Sequence, residues 1–238
     1  MDRWNENGWR ARDAWVCFAV VYGLTVAAAI NLFVFSWRWP SAFNLSSSQA
    51  AFFVTMCGLL IAFGVTLAFT KVSSPDKFLK VFRLNHRPTA LAGWGVLFGI
   101  GLAFLAMYFT RIGWTHDTAL TSRFASAEPS LHVALSLLLL VGPFLEESMM
   151  RGFLYPAFRG SYPRMASTAI VVAMSLLMHP DGLSSPGILT LLIISLNAVL
   201  CSLRENSVSL WDCIICHLAY NGTLTLAEIA QITGHGAW

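Results

Sequence analysis

The feature that most restricts this chain is a lack of charge over long stretches: Ala14 to Trp37 is 24 residues without an Asp, Glu, Lys or Arg. A helix crossing a hydrocarbon layer of roughly 30 Å needs about 20 apolar residues at a rise of about 1.5 Å each. That template fits, or nearly fits, seven segments: Ala14–Trp37, Gln49–Thr70, Thr89–Thr110, Leu131–Tyr155, the short Met165–His179, Pro186–Leu203, and Val208–Ile229, which Asp212 and His217 interrupt. The chain reads as all-α, a polytopic transmembrane helix bundle of seven spans. Residues 1–130 form an N-terminal membrane region of three spans, and residues 131–238 a core of four.

Composition agrees. Of 238 residues, 11% are charged and 56% hydrophobic, whereas a soluble domain carries about 25% charged residues. The net charge of +3 is dispersed, with no block of five or six like charges, which argues against nucleic acid as a partner. The five cysteines (Cys17, Cys57, Cys201, Cys213, Cys216) lie in apolar runs and read as small buried hydrophobes, not as a disulfide framework. The first apolar run is too long for a signal-peptide core and lacks a small-residue cleavage site, so it reads as a retained anchor.

Lys and Arg collect on the cytoplasmic side of membrane spans. With seven spans, twelve of the fifteen basic residues fall on one side: Arg3, Arg10 and Arg12; Lys71, Lys77, Lys80, Arg83 and Arg87; Arg151, Arg159 and Arg164; and Arg204. Only Arg38, Arg111 and Arg123 fall on the other. The pattern predicts the amino terminus inside and the carboxyl terminus outside. Of the loops, Lys71–Pro88 and Arg111–Ser130 are long enough to hold an interfacial helix or an ordered loop.

Ionisable groups within spans cost about 3 kcal/mol each on insertion scales and mark function by default. The first three spans have almost none. The fourth carries Phe-Leu-Glu146-Glu147-Ser-Met-Met-Arg151-Gly. Glu147 and Arg151 are four residues apart with the acid first, the favourable order for a pair on one helix face. Glu146, rotated by about 100°, has no local partner and must face water, a cation or a donor from another helix. An Arg-bridged acid pair holding two helices together explains Glu147 and Arg151 but not Glu146. The fifth span ends in Ser175-Leu-Leu-Met-His179-Pro-Asp, where a lone histidine is more often a capped or snorkelling residue than a ligand. The seventh carries Cys216-His217-Leu-Ala-Tyr-Asn221, with His217 and Asn221 on one face; interhelical hydrogen bonding is the plain alternative. Asp212 reads as a carboxylate in the first helical turn, without chemistry. Cys213-Ile-Ile-Cys216-His217 has the spacing for c-type haem attachment, but it lies inside an apolar span where a porphyrin has no access.

Taken in order, Glu146-Glu147-x-x-x-Arg151, His179 and His217-x-x-x-Asn221 resemble the signature of the CAAX prenyl protease and bacteriocin-processing (CPBP or Abi) family of intramembrane proteases. The resemblance spans about Ser130 to Asn221. Two features depart from it: Ser175 stands where the family's second motif usually has Phe, and family members of known structure have eight helices. The resemblance implies an endopeptidase acting on a membrane-anchored or lipidated protein, in the bilayer of a bacterial inner (plasma) membrane. It implies Glu146 as the general base toward a water, His179 as the residue orienting that water, and His217 and Asn221 as donors to the oxyanion. Glu147 with Arg151 would hold the helix so that Glu146 is aimed.

A metal variant uses the same residues. Glu146, His179 and His217 would make a two-histidine, one-carboxylate set for a divalent ion such as Zn²⁺. Two other classes stay open: a non-catalytic membrane scaffold or bacteriocin-immunity protein keeping the fold, and a transporter using Glu146 and the histidines as a proton relay. The depths of Glu146 and His179 also have to match. An interfacial helix over Gly152–Arg164, with the fifth span entering near Ser167, or a break at Pro180 and Gly182, would bring them level.

Overall fold

A computed structural model describes residues 4, 8–38, 47–72, 74–112, 129–179 and 187–232. Among these residues the secondary structure is helical throughout, with no strand. The helices are α1 (Ala11–Arg38), α2 (Ser47–Thr70), the short α3 (Pro75–Val81), α4 (Ala90–Arg111), α5 (Pro129–Met149), α6 (Tyr155–Arg159), α7 (Arg164–Met178), α8 (Ile188–Asn206) and α9 (Trp211–Ile232). A π-helical segment, Met150–Leu154, joins α5 to α6 without a break.

Four helices, α1, α2, α4 and α8, are long and apolar enough to cross a membrane by length and composition. The other three expected spans exist as helices with nearly the expected bounds. Of these, α7 has only 15 residues, while α5 and α9 carry the ionisable groups. Large apolar side chains such as Phe33, Trp94, Leu97 and Phe104 point outward. In water such a surface would drive association; in lipid it is the matching surface. The protein is an integral membrane helical bundle. Cys57 departs from expectation: it is exposed on the outer face of α2, where a small apolar thiol meets lipid as readily as protein, whereas the other four cysteines are buried.

Consecutive packed helices run antiparallel, with Cys17 of α1 meeting Thr66 of α2 and Arg164 of α7 meeting Ser202 of α8. Gly58 of α2 sits against Thr25 of α1, an antiparallel pairing of consecutive spans. The most extensive packing is between α4 and α9, which run parallel. Gly95 faces Cys216 and the Asp212 carbonyl, and Gly99 faces Cys216, Ala219 and Tyr220. A Cβ on Gly99 would lie 2.5 Å from the Cys216 carbonyl oxygen, so only glycine permits this approach. Gly95-x-x-x-Gly99, continued by buried Ala103, is the small-residue stripe that lets two membrane helices touch through their backbones. Asp212 pins the shared end: its carboxylate accepts from the Thr89 backbone N–H at 2.8 Å and the Thr89 hydroxyl at 2.6 Å. Thr89 is itself the N-cap of α4. Cys213 and Cys216 are fully buried, Cys213 on the Leu200 carbonyl and Cys216 against α4, which leaves no edge for a haem.

The interfacial region after α2 holds α3, started by Ser74, whose hydroxyl accepts from the Lys77 backbone N–H, and by Pro75 in the first turn. Phe82, following α3, is fully buried against Gly152, where a Cβ would lie 2.5 Å from the phenyl ring.

No separate interfacial helix covers residues 152–164, contrary to expectation. The π segment and α6 prolong α5 to Arg159, with Met150–Phe158 buried. The cause is Pro156, which lacks an N–H to continue the α-helical ladder. The register slips, Tyr155 N–H bonds to Met150 O in the π pattern, and the helix goes on. The fifth span then starts at Arg164, after a turn over 160–163, and not near Ser167. Glu146 and His179 each lie about 20 Å along their helices from that turn at about 1.5 Å per residue, so they reach similar depth without an added break. Pro180 and Gly182 lie outside the described residues.

Candidate active site

Two prolines bracket the acidic motif and set its surroundings. Pro156 and the π register leave the Arg151 carbonyl without a helical partner, and Arg204 of α8 donates to it from Nε at 2.9 Å. Pro143 in α5 removes the N–H that would reach the Leu139 carbonyl, and Asn221 of α9 donates to it from Nδ2 at 3.3 Å. In each case a side chain from another helix supplies the missing donor, as buried backbone groups require.

Between these points Glu147 is fully buried. Its Oε1 accepts from Arg151 at 3.1 Å and lies 2.9 Å from Nδ1 of His217. Arg151, also buried, donates to both the backbone carbonyl and the Oδ1 of Asn197 at 3.1 and 2.5 Å. Asn197 in turn donates to the Ile193 carbonyl at 2.8 Å. Glu147 Oε2 and Arg151 Nε are buried without a hydrogen-bond partner. A carboxylate only accepts, so the Glu147 contact fixes the His217 proton on Nδ1 and turns Nε2 toward Glu146.

Glu146 is the more open member of the pair, its side chain 27% exposed against 0% for Glu147. Its Oε2 stands 4.0 Å from His217 Nε2, too long for a hydrogen bond and within the reach of one bridging water. The partner that Glu146 lacks on its own helix is therefore a histidine on α9. Asn221 follows one turn beyond His217 on the same face.

The structure thus brings Glu146, Glu147, Arg151 and His217 into one cluster, with Asn221 one turn further along α9 on the Leu139 carbonyl. His179 stands apart from their hydrogen bonds: it caps α7, half-buried, with Nδ1 2.8 Å from the Ser175 carbonyl. Among the described residues no hydrogen bond or ion pair joins it to Glu146 or His217. Nor does any group of three or more His, Cys, Asp or Glu among those residues have the arrangement to hold a metal ion. Glu146, His179 and His217 as placed do not fit one, and no chemical step is routed through a metal here.

Sequence reasoning passes over Asn197 and Arg204. An amide inside the apolar run Ile-Ile-Ser-Leu-Asn197 was a signal that could have been read; Arg204 counts there only as a loop charge, yet it is buried, with its guanidinium also over the Trp4 ring at 5.6 Å. Tyr155 and Arg159 both bond to Glu205 beside it.

Residues 128–223 match a family model described as Type II CAAX prenyl endopeptidase Rce1-like. The match covers about two fifths of the chain and contains all six residues of the three motifs. It agrees with the resemblance those motifs carry. No curated protein and no solved structure matched the chain.

Proposed function

On the strength of that family match, we propose that this chain is an intramembrane endopeptidase that hydrolyses a peptide bond of a membrane-anchored or lipidated protein by a glutamate-activated water. The observation that carries this reading is Glu146: a partly exposed carboxylate in an apolar bundle, 4.0 Å from one nitrogen of a histidine whose other nitrogen is held by a buried acid.

Hydrolysis needs a base for the water, donors for the oxyanion and a proton for the leaving amine. Glu146 takes the water's proton as its oxygen attacks the carbonyl carbon. His179, at similar depth, orients that water. The Asn221 amide donates to the oxyanion from one face of α9, joined by His217 once Nε2 has taken up a proton from solvent in addition to the one held on Nδ1. Glu146 then returns the proton to the departing amine. Glu147 and Arg151 touch no substrate in this scheme; Glu147 holds the His217 ring and Arg151 ties the cluster to α8 through Asn197.

The test is cleavage by the full chain in vesicles of a membrane-anchored peptide bearing a prenylated C-terminal CAAX sequence, beside the same peptide without the lipid. Cleavage of the prenylated peptide, with product termini identified by mass spectrometry, supports the reading. No cleavage of either by folded protein contradicts it for this substrate class. Retention of the cellular phenotype by Glu146→Gln would favour the scaffold reading instead.

A further inference from the structure

We infer that Pro143 is a positioning residue for this hydrolysis, acting through the Leu139 carbonyl on Asn221; the inference rests on the proposed role of Asn221. Leu139, Pro143 and Glu147 are spaced four residues apart and form one stripe on α5. His217 and Asn221 form the facing stripe on α9. One end of the contact is Glu147 with His217 at 2.9 Å, and the other is the Leu139 carbonyl with Asn221 Nδ2 at 3.3 Å.

The second contact exists because of what stands between. In an uninterrupted α-helix the N–H of residue 143 would occupy the Leu139 carbonyl, and proline has none. The freed carbonyl can only accept, so it decides which way the Asn221 amide is flipped: Nδ2 faces α5. One N–H of that amide is spent on the carbonyl, and the other is held in a fixed direction, available to an oxyanion. The proline thus links the aim of Asn221 to the helix that bears the base.

The experiment is a double-mutant cycle of Pro143→Ala and Asn221→Ala in the full chain, reconstituted in vesicles, read by kcat, KM and thermal midpoint. Pro143→Ala restores the helical N–H, so it should fold, and should lower kcat at least tenfold with KM within twofold. On the Asn221→Ala background the same change should alter kcat less than twofold. In the midpoints, Pro143→Ala should raise the Asn221→Ala protein more than the wild type, because it gives the orphaned carbonyl a partner again. An unchanged kcat for Pro143→Ala, or an equal loss on both backgrounds, overturns the inference. If Asn221→Ala turns over like wild type, the role of Asn221 in the proposed function fails, and the inferred catalytic role of Pro143 fails with it. The midpoints still judge the hydrogen-bond link alone: additivity overturns it, and coupling sustains it.

Discussion

Glu147 in α5 and His217 in α9, seventy residues apart in the chain, meet at 2.9 Å through Oε1 and Nδ1, with Arg151 on the same carboxylate oxygen. The neighbouring Glu146 meets the other side of the same imidazole at 4.0 Å. Two adjacent acids thus have different work. The buried one holds the histidine, and the more open one is the base of the proposed mechanism.

Glu147→Gln separates structure from chemistry on the first of them. It leaves the Arg151 guanidinium buried without its counter-charge, a change that costs about 3–5 kcal/mol for buried pairs. The thermal midpoint should fall by many degrees in a detergent melt, along with turnover. An unchanged midpoint would show that the Glu147–Arg151 pair does not hold the bundle.

Arg204→Lys tests the π segment. The Arg151 carbonyl loses the planar donor that replaces the missing helical one, for a cost of about 1–3 kcal/mol. A lowered midpoint is expected, with faster amide exchange in Met150–Leu154 read by mass spectrometry. Exchange unaltered in that segment would contradict the role given to Arg204.

Gly99→Ala places a methyl 2.5 Å from the Cys216 carbonyl oxygen, one residue before His217. Backbone cannot yield as a side chain can, so α4 and α9 must separate, at about 1–3 kcal/mol. Gly101→Ala, with nothing within 4 Å of its Cβ, is the matched control. The first should lose stability and activity and the second neither; equal behaviour would refute the close packing.

Asp212→Ala removes the cap on Thr89, worth about 0.5–2 kcal/mol for N-cap contacts. A lower midpoint with kcat per folded molecule within twofold is expected. A large loss of kcat at full folding would give Asp212 a part in the chemistry that its position does not suggest.

The helices were legible in the sequence because a bilayer removes the alternatives: a run such as Ala14–Trp37 can only be a spanning helix, and it forms α1 with ends a few residues further out. The cluster was legible because Glu146, Glu147, Arg151, His217 and Asn221 are costly in apolar helices. What the sequence did not disclose depends on neighbours distant in the chain. Pro143 and Pro156 drew no reading from the sequence, and only the packing of α8 and α9 shows that Arg204 and Asn221 supply donors to the carbonyls they free. Asp212 looked inert because its partner, Thr89, is 123 residues away. Gly95 and Gly99 carry the small-residue spacing, but their partner helix cannot be identified from α4 alone.

The most direct measurement is the turnover of Glu146→Gln on a membrane-anchored peptide that the wild-type chain cleaves, with the thermal midpoint recorded on the same preparation. Glutamine keeps the shape and removes the base, so kcat should fall at least a hundredfold while the midpoint stays within about two degrees, since this partly exposed carboxylate supports no buried pair. Cleavage at more than a tenth of the wild-type rate, by protein with an unchanged midpoint, would contradict a mechanism in which Glu146 activates the water.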